Sequence, residues 1–323
     1  MTDGRLACVT GAAGFIGSHL SERLLAEGYR VLGIDSFTDF YARAAKERNL
    51  AAARAHPAFH FVEGDLLTLD LAALLRDVEV ISHQAAQAGV RGSWGAQFDA
   101  YLRNNLAATQ RLLEVARERL PRLRRLVYAS SSSVYGTCPD LPLRETSLPR
   151  PFSPYGVTKL AAEQLCHLYY ANDGLPVVSL RYFTVYGPRQ RPDMAFHRFC
   201  RALLREQPVE LFGDGEQTRD FTYVTDAVEA NLLALAPGIE GEVFNIGGGS
   251  RVTLNETLRL LGEVRGAPVA VTRLPAQRGD MRHTFADTGA AKRRLGFTPR
   301  VGLREGLARE LAWVSANLDA PEE

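Results

Sequence analysis

Tyr155 and Lys159 form a Tyr-x-x-x-Lys pair in a chain that contains three lysines. With 11 tyrosines and 3 lysines in 323 residues, chance would supply about 0.1 such pairs. On a helix, positions i and i+4 share a face, so a phenol and an ammonium could meet one substrate. We expect the cation to favour phenolate and to lower the tyrosine pKa, as a base that deprotonates an alcohol requires. The alternative is an ordinary amphipathic helix face with this spacing.

A glycine-rich turn follows the first predicted strand, residues 6–10, and precedes a helix predicted from residue 18 to about residue 27. Gly11 would permit the tight turn, Gly14 would let the backbone approach a pyrophosphate, and Gly17 would allow close helix packing. The helix N-terminus adds free N–H groups that favour phosphate. This order predicts a dinucleotide site, with an ordinary βαβ turn as the alternative.

A second predicted strand, residues 30–34, ends at Asp35, eighteen residues beyond Gly17. A carboxylate at this point would accept hydrogen bonds from ribose hydroxyls. The same charge would repel a 2′-phosphate, so NAD is favoured over NADP as the cofactor.

Composition excludes several classes of protein. With 323 residues, 46% of them hydrophobic, and a net charge of +1, the chain can form one large or two modest domains. The balanced charge and scattered arginines argue against nucleic acid as a partner. We see no membrane helix and no signal peptide, so we expect a cytoplasmic protein without membrane association. The cysteines show no metal or redox spacing, so we expect free thiols and no metal site; they are Cys8, Cys138, Cys166 and Cys200.

Strands and helices continue to alternate beyond Asp35. Further strands are predicted at 59–62, 78–82, 125–129 and 177–180, with helices at 96–118 and 155–172. This order predicts an α/β fold with a doubly wound, parallel, Rossmann-type sheet. In such sheets ligands lie beyond the carboxyl ends of the strands, where the glycine turn, Asp35 and Ser131 fall.

The chain changes character after residue 182. Prolines and glycines divide it into short strands that alternate with helices predicted near 195–206, 226–236, 253–264 and 304–317. We therefore predict an NAD-binding domain over residues 1–182, with a return segment near 219–250, and a smaller mixed substrate domain over 183–323. The cleft between them is the expected substrate site.

Several motifs together resemble those of the extended short-chain dehydrogenase/reductases that act on nucleotide sugars. They are Thr10-Gly-Ala-Ala-Gly-Phe-Ile-Gly17, Gly64-Asp65-Leu66, Ala129-Ser-Ser-Ser-Ser-Val-Tyr-Gly136, Ser153-Pro-Tyr-Gly-Val-Thr-Lys159, Leu180-Arg-Tyr-Phe183 and Arg219-Asp-Phe-Thr-Tyr223. The resemblance runs nearly from end to end of the chain, and the combination is highly specific.

The resemblance implies roles for individual residues. Tyr155 would be the base, Lys159 would orient it and bind the nicotinamide ribose, and Ser131 would bridge the sugar hydroxyl and the phenol. The other NAD contacts would come from Gly11, Gly14, Phe15, Ile16, Gly17, Asp35, Asp65, Leu66, Ala85, Ala86, Asn104 and Tyr182. In the alternative interpretation, Leu66 and Ala85 are plain core residues.

The serine run bears on the reaction. Dehydratases and decarboxylases of this family place an acid in the segment before Val-Tyr-Gly, because their chemistry needs a general acid or base there. Here the segment is Ser131-Ser132-Ser133, whose hydroxyls can hydrogen-bond a sugar but are not carboxylic acids. We therefore expect 4-epimerisation, in which hydride passes from C4 to NAD+ and returns to the opposite face of the ketose.

The stretch from Phe183 to Met194 looks most like UDP-glucuronate 4-epimerases, whereas UDP-galactose 4-epimerases typically carry Asn at the position of Thr184. By that resemblance the substrate contacts would be Arg91, Ser131, Ser132, Ser133, Thr184, Arg191 and Arg219. Arginine suits a diphosphate because its guanidinium makes bidentate hydrogen bonds. As the alternative, each arginine is an exposed loop residue. A further diphosphate contact near Gln277 and Arg278 is left open.

Two other classes of function stay open. One is another enzyme on the same scaffold, such as a UDP-glucose 4-epimerase or a UDP-glucuronate decarboxylase. The other is a non-catalytic NAD-binding regulator, which would need the glycine turn but neither Tyr155, Lys159 nor the serine run.

The resemblance also implies a homodimer in which helices 96–118 and 155–172 pair across a twofold axis. Apolar positions on these helices could form that interface or could equally face the sheet. They are Leu106, Leu112, Leu113, Leu160, Leu165 and Leu168.

Overall fold

The computed structural model describes residues 4–138, 140–277 and 279–320. Its strands are β1 Leu6–Thr10, β2 Arg30–Asp35, β3 Phe59–Glu63, β4 Val80–His83, β5 Arg125–Ser131, β6 Val177–Tyr182, β7 Val185–Tyr186, β8 Val209–Phe212, β9 Thr218–Asp220, β10 Thr222–Tyr223, β11 Val243–Ile246, β12 Arg251–Thr253 and β13 Val271–Leu274. Within the described ranges, seven strands form one parallel sheet in the order β11-β6-β5-β4-β1-β2-β3. The predicted doubly wound parallel sheet is confirmed.

Helices connect the strands, and some of them cover the two faces of this sheet. They are α1 Phe15–Ala26, α2 Arg43–Arg54, α3 Leu71–Leu75, α4 Phe98–Tyr101, α5 Ala108–Arg119, α6 Pro154–Asp173, α7 Ala195–Leu204, α8 Val224–Leu233, α9 Leu254–Arg265, α10 Gly289–Leu295 and α11 Leu303–Ala316. One layer contains α1, α2 and α8, and the other contains α3, α5 and α6. The sequence pattern did not predict α2, α3 or α10, because α2 consists mostly of alanine and charged residues and the other two helices are too short to show a hydrophobic period.

Apolar residues of β1 pack against helices on both faces of the sheet. Cys8 of β1 packs in one core layer with Leu112 and Leu113 of α5, whereas its neighbour Val9 packs with Leu20 of α1 in the other. Successive residues of a strand point to opposite faces, so both faces of β1 are apolar, as a sheet covered by helices on both sides requires. Leu112 and Leu113 therefore face the sheet and are fully buried within the chain.

The helix predicted over 96–118 is divided into three parts. A π-helical segment, Leu102–Ala107, separates α4 from α5. Inside it, the Asn105 side chain accepts a hydrogen bond from the Gln87 N–H at 2.7 Å and donates to the Thr158 hydroxyl at 3.0 Å. The segment thus ties the loop after β4 to α6.

The last strand of the main sheet comes from the second half of the chain. β11 pairs in parallel with β6, and it lies in the segment where a return of the chain was predicted. The division into domains at residue 182 stays a prediction. Within the part of the chain that the structure covers, no helix combines the length and apolar character needed to cross a bilayer.

Candidate active site

A long cavity lies at the carboxyl end of the main sheet, beside the turns that follow β1, β2, β4 and β5. Strand ends of a parallel sheet share one edge, so residues far apart in the chain meet there. The lining contains every residue that the sequence analysis assigned to the cofactor: Gly11, Gly14, Phe15, Ile16, Gly17, Asp35, Asp65, Leu66, Ala85, Ala86, Asn104, Tyr155, Lys159 and Tyr182. We call this the cofactor cavity.

The glycine turn has the shape that a phosphate site needs. Gly11 has a φ of +69°, and a Cβ on it would lie 2.8 Å from the backbone nitrogen of Ala85. Gly14 precedes α1 as its N-cap, and the first turn of α1 carries no acidic side chain. An anion in the cavity would therefore meet backbone N–H groups and no like charge from that turn.

Asp35 ends β2 with its carboxylate between two backbone donors, the N–H groups of Ala13 at 3.0 Å and Phe37 at 2.9 Å. Burial raises the pKa of Asp35, although these N–H groups and the charge of Lys46 oppose the rise. Each carboxylate oxygen keeps a lone pair for a ribose hydroxyl. Lys46, which sequence analysis did not assign to the cofactor, is buried beside the same cavity and donates to the Thr38 carbonyl at 2.6 Å. Its rarity as one of three lysines was the available signal.

Ser153 and Pro154 fix the start of α6, the helix that carries Tyr155 and Lys159. The Ser153 hydroxyl accepts a hydrogen bond from the Gly156 N–H at 3.1 Å, and Pro154 occupies the first turn, where no N–H is needed. Tyr155 consequently lies in the first turn and Lys159 one turn later. Both side chains line the cofactor cavity.

The pKa of Tyr155 differs from the one expected from the sequence. Burial raises the pKa of Tyr155, while a hydrogen bond with Ser131 and the charge of Arg191 lower it in part. The net shift is therefore opposite to the lowered pKa that was expected, because desolvation of the phenolate outweighs the Ser131 hydrogen bond and the Arg191 charge. Burial also lowers the pKa of Lys159 to about 8.

A second cavity adjoins the first, and Tyr155 and Arg191 line both. Its lining contains six residues predicted to contact the substrate: Ser131, Ser132, Ser133, Thr184, Arg191 and Arg219. We call it the substrate cavity. Tyr155 thus stands between the cofactor cavity and a cavity rich in hydroxyl groups.

Arg191 and Arg219, which line the substrate cavity, could bind an anion. Arg191 is held by Asp193, with both hydrogen bonds at 2.9 Å. Burial lowers the pKa of Arg219; the charge of Asp280 opposes this and that of Arg91 adds to it. A diphosphate beside Arg219 would relieve the cost of its buried charge.

Arg91 lies outside the linings of both cavities. It donates to Asp280 at 2.8 Å, and its guanidinium lies 4.4 Å from the centroid of the Phe212 ring. Asp280 itself lines the substrate cavity, so Arg91 reaches that cavity through its partner. Its substrate contact stays a prediction. Arg278 lies outside the described residues.

A polar cluster that no sequence motif predicted lies beside the cofactor cavity. The Tyr182 hydroxyl accepts hydrogen bonds from Asn231 at 2.7 Å and Gln84 at 3.2 Å, and the Ser82 hydroxyl donates to Asn231 at 3.0 Å. Burial raises the pKa of Tyr182 to about 12, so this phenol stays neutral near neutral pH. Contacts between such distant positions leave no spacing to find in a sequence.

The chain is similar to known epimerases in both sequence and structure. The chain matches the NAD dependent epimerase/dehydratase family over residues 7–247. A Bacillus subtilis protein named "Uncharacterized UDP-glucose epimerase YtcB" is 46% identical over 310 residues, which cover 95% of this chain and 97% of that protein. The UDP-glucuronate 4-epimerase of Thermodesulfobacterium geofontis is 36% identical, with 96% of each chain covered. The solved UDP-glucuronic acid 4-epimerase of Bacillus cereus, in complex with UDP-glucuronic acid and NAD, superposes with a TM-score of 0.93 at 43% identity, over 96% of this chain and 99% of that one.

Proposed function

We propose that this chain, which belongs to the NAD-dependent epimerase/dehydratase family and uses NAD as its cofactor, interconverts UDP-glucuronate and UDP-galacturonate. The chain is an NAD-dependent UDP-sugar 4-epimerase, and the proposal concerns its sugar and the residues that act on it. The observation that carries the proposal is the position of Tyr155, which lines both the cofactor cavity and the substrate cavity. A sugar in the substrate cavity would present its reacting hydroxyl to a phenol beside the cofactor.

The side chains around Tyr155 have different roles in proton transfer. Tyr155 takes the O4 proton when C4 is oxidised and returns a proton when it is reduced. Ser131, which hydrogen-bonds the phenol, holds the sugar hydroxyl in line. Lys159 and Arg191 favour the phenolate by their charge, against the burial that disfavours it. NAD, held by the residues of the cofactor cavity, would supply the hydride chemistry, in which C4 is oxidised and then reduced from the opposite face of the ketose.

The substrate cavity also suits control of a carboxylate. Oxidation of glucuronate at C4 creates a β-keto acid, which loses CO2 when its C5–C6 bond stands perpendicular to the ketone plane. An epimerase must hold the carboxylate away from that geometry. Ser132, Ser133 and Thr184 line the cavity and offer neutral donors for this purpose. Asp280, an acid in the same lining, is already ion-paired with Arg91.

UDP-glucose is the second candidate substrate. The Bacillus subtilis relative at 46% identity is named as a UDP-glucose epimerase, and MoeE5, at 44–45% identity, has been solved with both UDP-glucuronic acid and UDP-glucose. Hydroxyl donors can serve a C6 hydroxyl as well as a C6 carboxylate. The two sugars therefore have to be compared directly.

The test incubates the enzyme with UDP-glucuronate or UDP-glucose and separates the products by anion exchange. We expect UDP-galacturonate from UDP-glucuronate at a kcat/KM about tenfold or more above that for UDP-glucose, because a C6 carboxylate adds a charged hydrogen bond. Conversion of UDP-glucose but not of UDP-glucuronate would make UDP-glucose the substrate. A UDP-pentose as the main product would show a decarboxylase, and no product from either sugar would refute the proposed substrate.

We also propose that the chain forms a homodimer. Val157 and Leu168 of α6 are each 51% exposed, and Leu102 beside α5 is 37% exposed, which leaves apolar surface on the helices that the family resemblance pairs. Burial of such a face against its copy is the usual reason for a twofold interface. Light scattering should give twice the chain mass at micromolar concentration, and a clean monomer would refute the dimer.

A further inference from the structure

A buried ion pair joins the helix of Tyr155 and Lys159 to the sheet. Arg181 of β6 donates to Glu163 of α6 twice, from Nη2 to Oε1 at 2.6 Å and from Nε to Oε2 at 3.0 Å. Their side chains are 4% and 2% exposed. The Ser130 hydroxyl in β5 donates to Oε2 at 2.5 Å. One carboxylate is therefore shared by α6, β5 and β6.

Each partner of the Glu163 carboxylate adjoins a residue of the cavities. Ser130 lines both cavities itself and precedes Ser131, and Arg181 precedes Tyr182. Ser131 lines the substrate cavity, and Tyr182 lines both cavities. Displacement of the carboxylate would therefore move the strand ends that face Tyr155.

Glu163 also places a negative charge one helical turn from Lys159. Burial lowers the pKa of Lys159 to about 8, and the charges of Cys166 and Glu163 oppose this lowering. Burial raises the pKa of the Cys166 thiol, so this thiol is neutral near neutral pH and cannot supply the charge. Glu163 is therefore the acid of this pair that supports the ammonium.

The other titratable groups near Lys159 come from three elements. Tyr128 of β5 lies under the ammonium, with its ring centroid 4.7 Å from Nζ, and burial raises its pKa well above the usual range. Burial lowers the pKa of His83 of β4 to about 3. Burial raises the pKa of Tyr155 of α6. All three are neutral near neutral pH, so none of them replaces the carboxylate of Glu163.

We propose that Glu163 is a positioning residue of the reaction, because it fastens α6 to the ends of β5 and β6 and keeps a buried negative charge beside Lys159. The inference rests on the roles proposed for Tyr155 and Lys159. It also assigns a task to Arg181, which lies within the motif from Leu180 to Phe183 but had no role in the sequence analysis.

The test compares two variants. Glu163→Gln removes the carboxylate charge but leaves Arg181 buried without its counter-charge, which destabilises a fold. The double variant Glu163→Gln with Arg181→Met removes both charges, and a buried pair replaced by neutral groups is generally tolerated. We expect the double variant to melt within about 5 °C of wild type, while its kcat falls about tenfold or more and its KM changes less than about threefold.

A second readout needs neither sugar nor turnover. The Lys159 ammonium is titrated by NMR of protein labelled with 15N in the lysine side chains, against Lys159→Ala in the same background, because the chain has three lysines. Without Glu163 the Lys159 ammonium should lose its proton at lower pH than in wild type. The alkaline fall of kcat should move to lower pH for the same reason.

A double variant that melts like wild type and keeps its kcat and the Lys159 titration would overturn the proposal, since Glu163 would then be structural alone. Should the double variant fail to fold, Ser130→Ala tests the contact with both charges in place. Its kcat should fall about threefold or more, whereas that of the buried control Ser179→Ala should not change. Equal kcat values for the two serine variants would refute the positioning role.

The outcome is separable from that of the proposed substrate. If wild type acts on UDP-glucose rather than UDP-glucuronate, the sugar assignment fails, and the same comparison is made with UDP-glucose. The Lys159 titration decides the role of Glu163 in either case.

Discussion

The carbonyl oxygen of Gly11 lies 2.1 Å from the position that a Cβ on Gly17 would occupy. This distance is far inside van der Waals contact, and the obstacle is backbone rather than the end of a flexible side chain. Hydrogen is therefore the one side chain that lets α1 pack against the phosphate-binding turn. The third glycine of the motif is required by this approach.

Gly17→Ala should weaken NAD binding by about tenfold to a hundredfold, because overpacking of this size costs about 1–3 kcal/mol and distorts the turn. Titration calorimetry on NAD-free protein measures the effect. Gly302→Ala is the control, since a Cβ at Gly302 would meet open space and its φ is −69°. An unchanged Kd for NAD in Gly17→Ala would contradict the geometry of the turn.

Tyr155→Phe should keep the fold and the bound NAD but reduce kcat by about a hundredfold to ten-thousandfold, the usual contribution of a general base. The ring stays and the proton acceptor is lost. Tyr169→Phe is the matched control on α6, because the Tyr169 hydroxyl bonds to Glu114, away from both cavities. A near-normal rate for Tyr155→Phe would remove Tyr155 from the mechanism.

The turnover of wild type should fall as pH rises through about 8, the value to which burial lowers the pKa of Lys159. Above this pH the ammonium loses its proton and no longer favours the phenolate. Lys159→Ala should reduce kcat near neutral pH by about tenfold to a hundredfold and should lack this alkaline fall. The exposed Lys292→Ala serves as control. An identical pH profile in Lys159→Ala would argue against the role of the ammonium.

Thr184→Val should weaken selectivity for UDP-glucuronate and release some UDP-pentose, because the carboxylate loses a neutral donor. A hydrogen bond to a charged group contributes about 1.5–3 kcal/mol, or about tenfold to a hundredfold in the ratio of rates. UDP-glucuronate, UDP-galacturonate and UDP-pentose are followed together, with Thr272→Val on the exposed strand β13 as control. If neither selectivity nor leakage changes, Thr184 does not hold the carboxylate.

Stability should decrease in acid through His83. Thr109 donates its hydroxyl proton to the Asn105 carbonyl at 2.6 Å, so His83 Nε2 must donate to Thr109 at 2.9 Å, and Nδ1 accepts from Thr10 at 2.7 Å. A second proton on the buried ring would reverse the hydrogen bond with Thr10, and burial lowers the pKa of His83 from 6.5 to about 3. A folded pKa below the unfolded one means that stability is complete above about pH 6.5 and is lost as pH falls toward 3.

The loss should be about 3–5 kcal/mol across this range, measured by urea unfolding at a fixed NAD concentration. His19, whose pKa burial lowers to about 4, acts in the same direction. Asp220, whose pKa burial raises to about 6, acts in the opposite direction. His83→Gln should be less stable near neutral pH but should show a shallower dependence between pH 6.5 and 3. An unaltered slope in His83→Gln would assign the acid sensitivity to other groups.

Local pattern was sufficient for the parts of the fold that repeat a simple rule. The glycine spacing predicted the turn that Gly11 and Gly17 form, and alternating strands and helices predicted the parallel sheet. The cofactor residues could be named because each lies in a short motif at the end of a strand. The helix predicted over 96–118 was found as α4, a π-helical segment and α5, because the side-chain contacts of Asn105 come from other elements.

The tertiary structure decided the quantities that depend on burial and on distant partners. A Tyr-x-x-x-Lys spacing places two side chains on one helix face, but desolvation set the direction of the Tyr155 pKa, and it is opposite to the one expected. Arg91 turned toward Asp280, which is 189 residues away in the chain. Glu163 met Arg181 and Ser130 only when α6 packed on β5 and β6. A sequence by itself determines which groups are present and their local spacing, whereas solvent exclusion and long-range pairing exist only once the chain has folded.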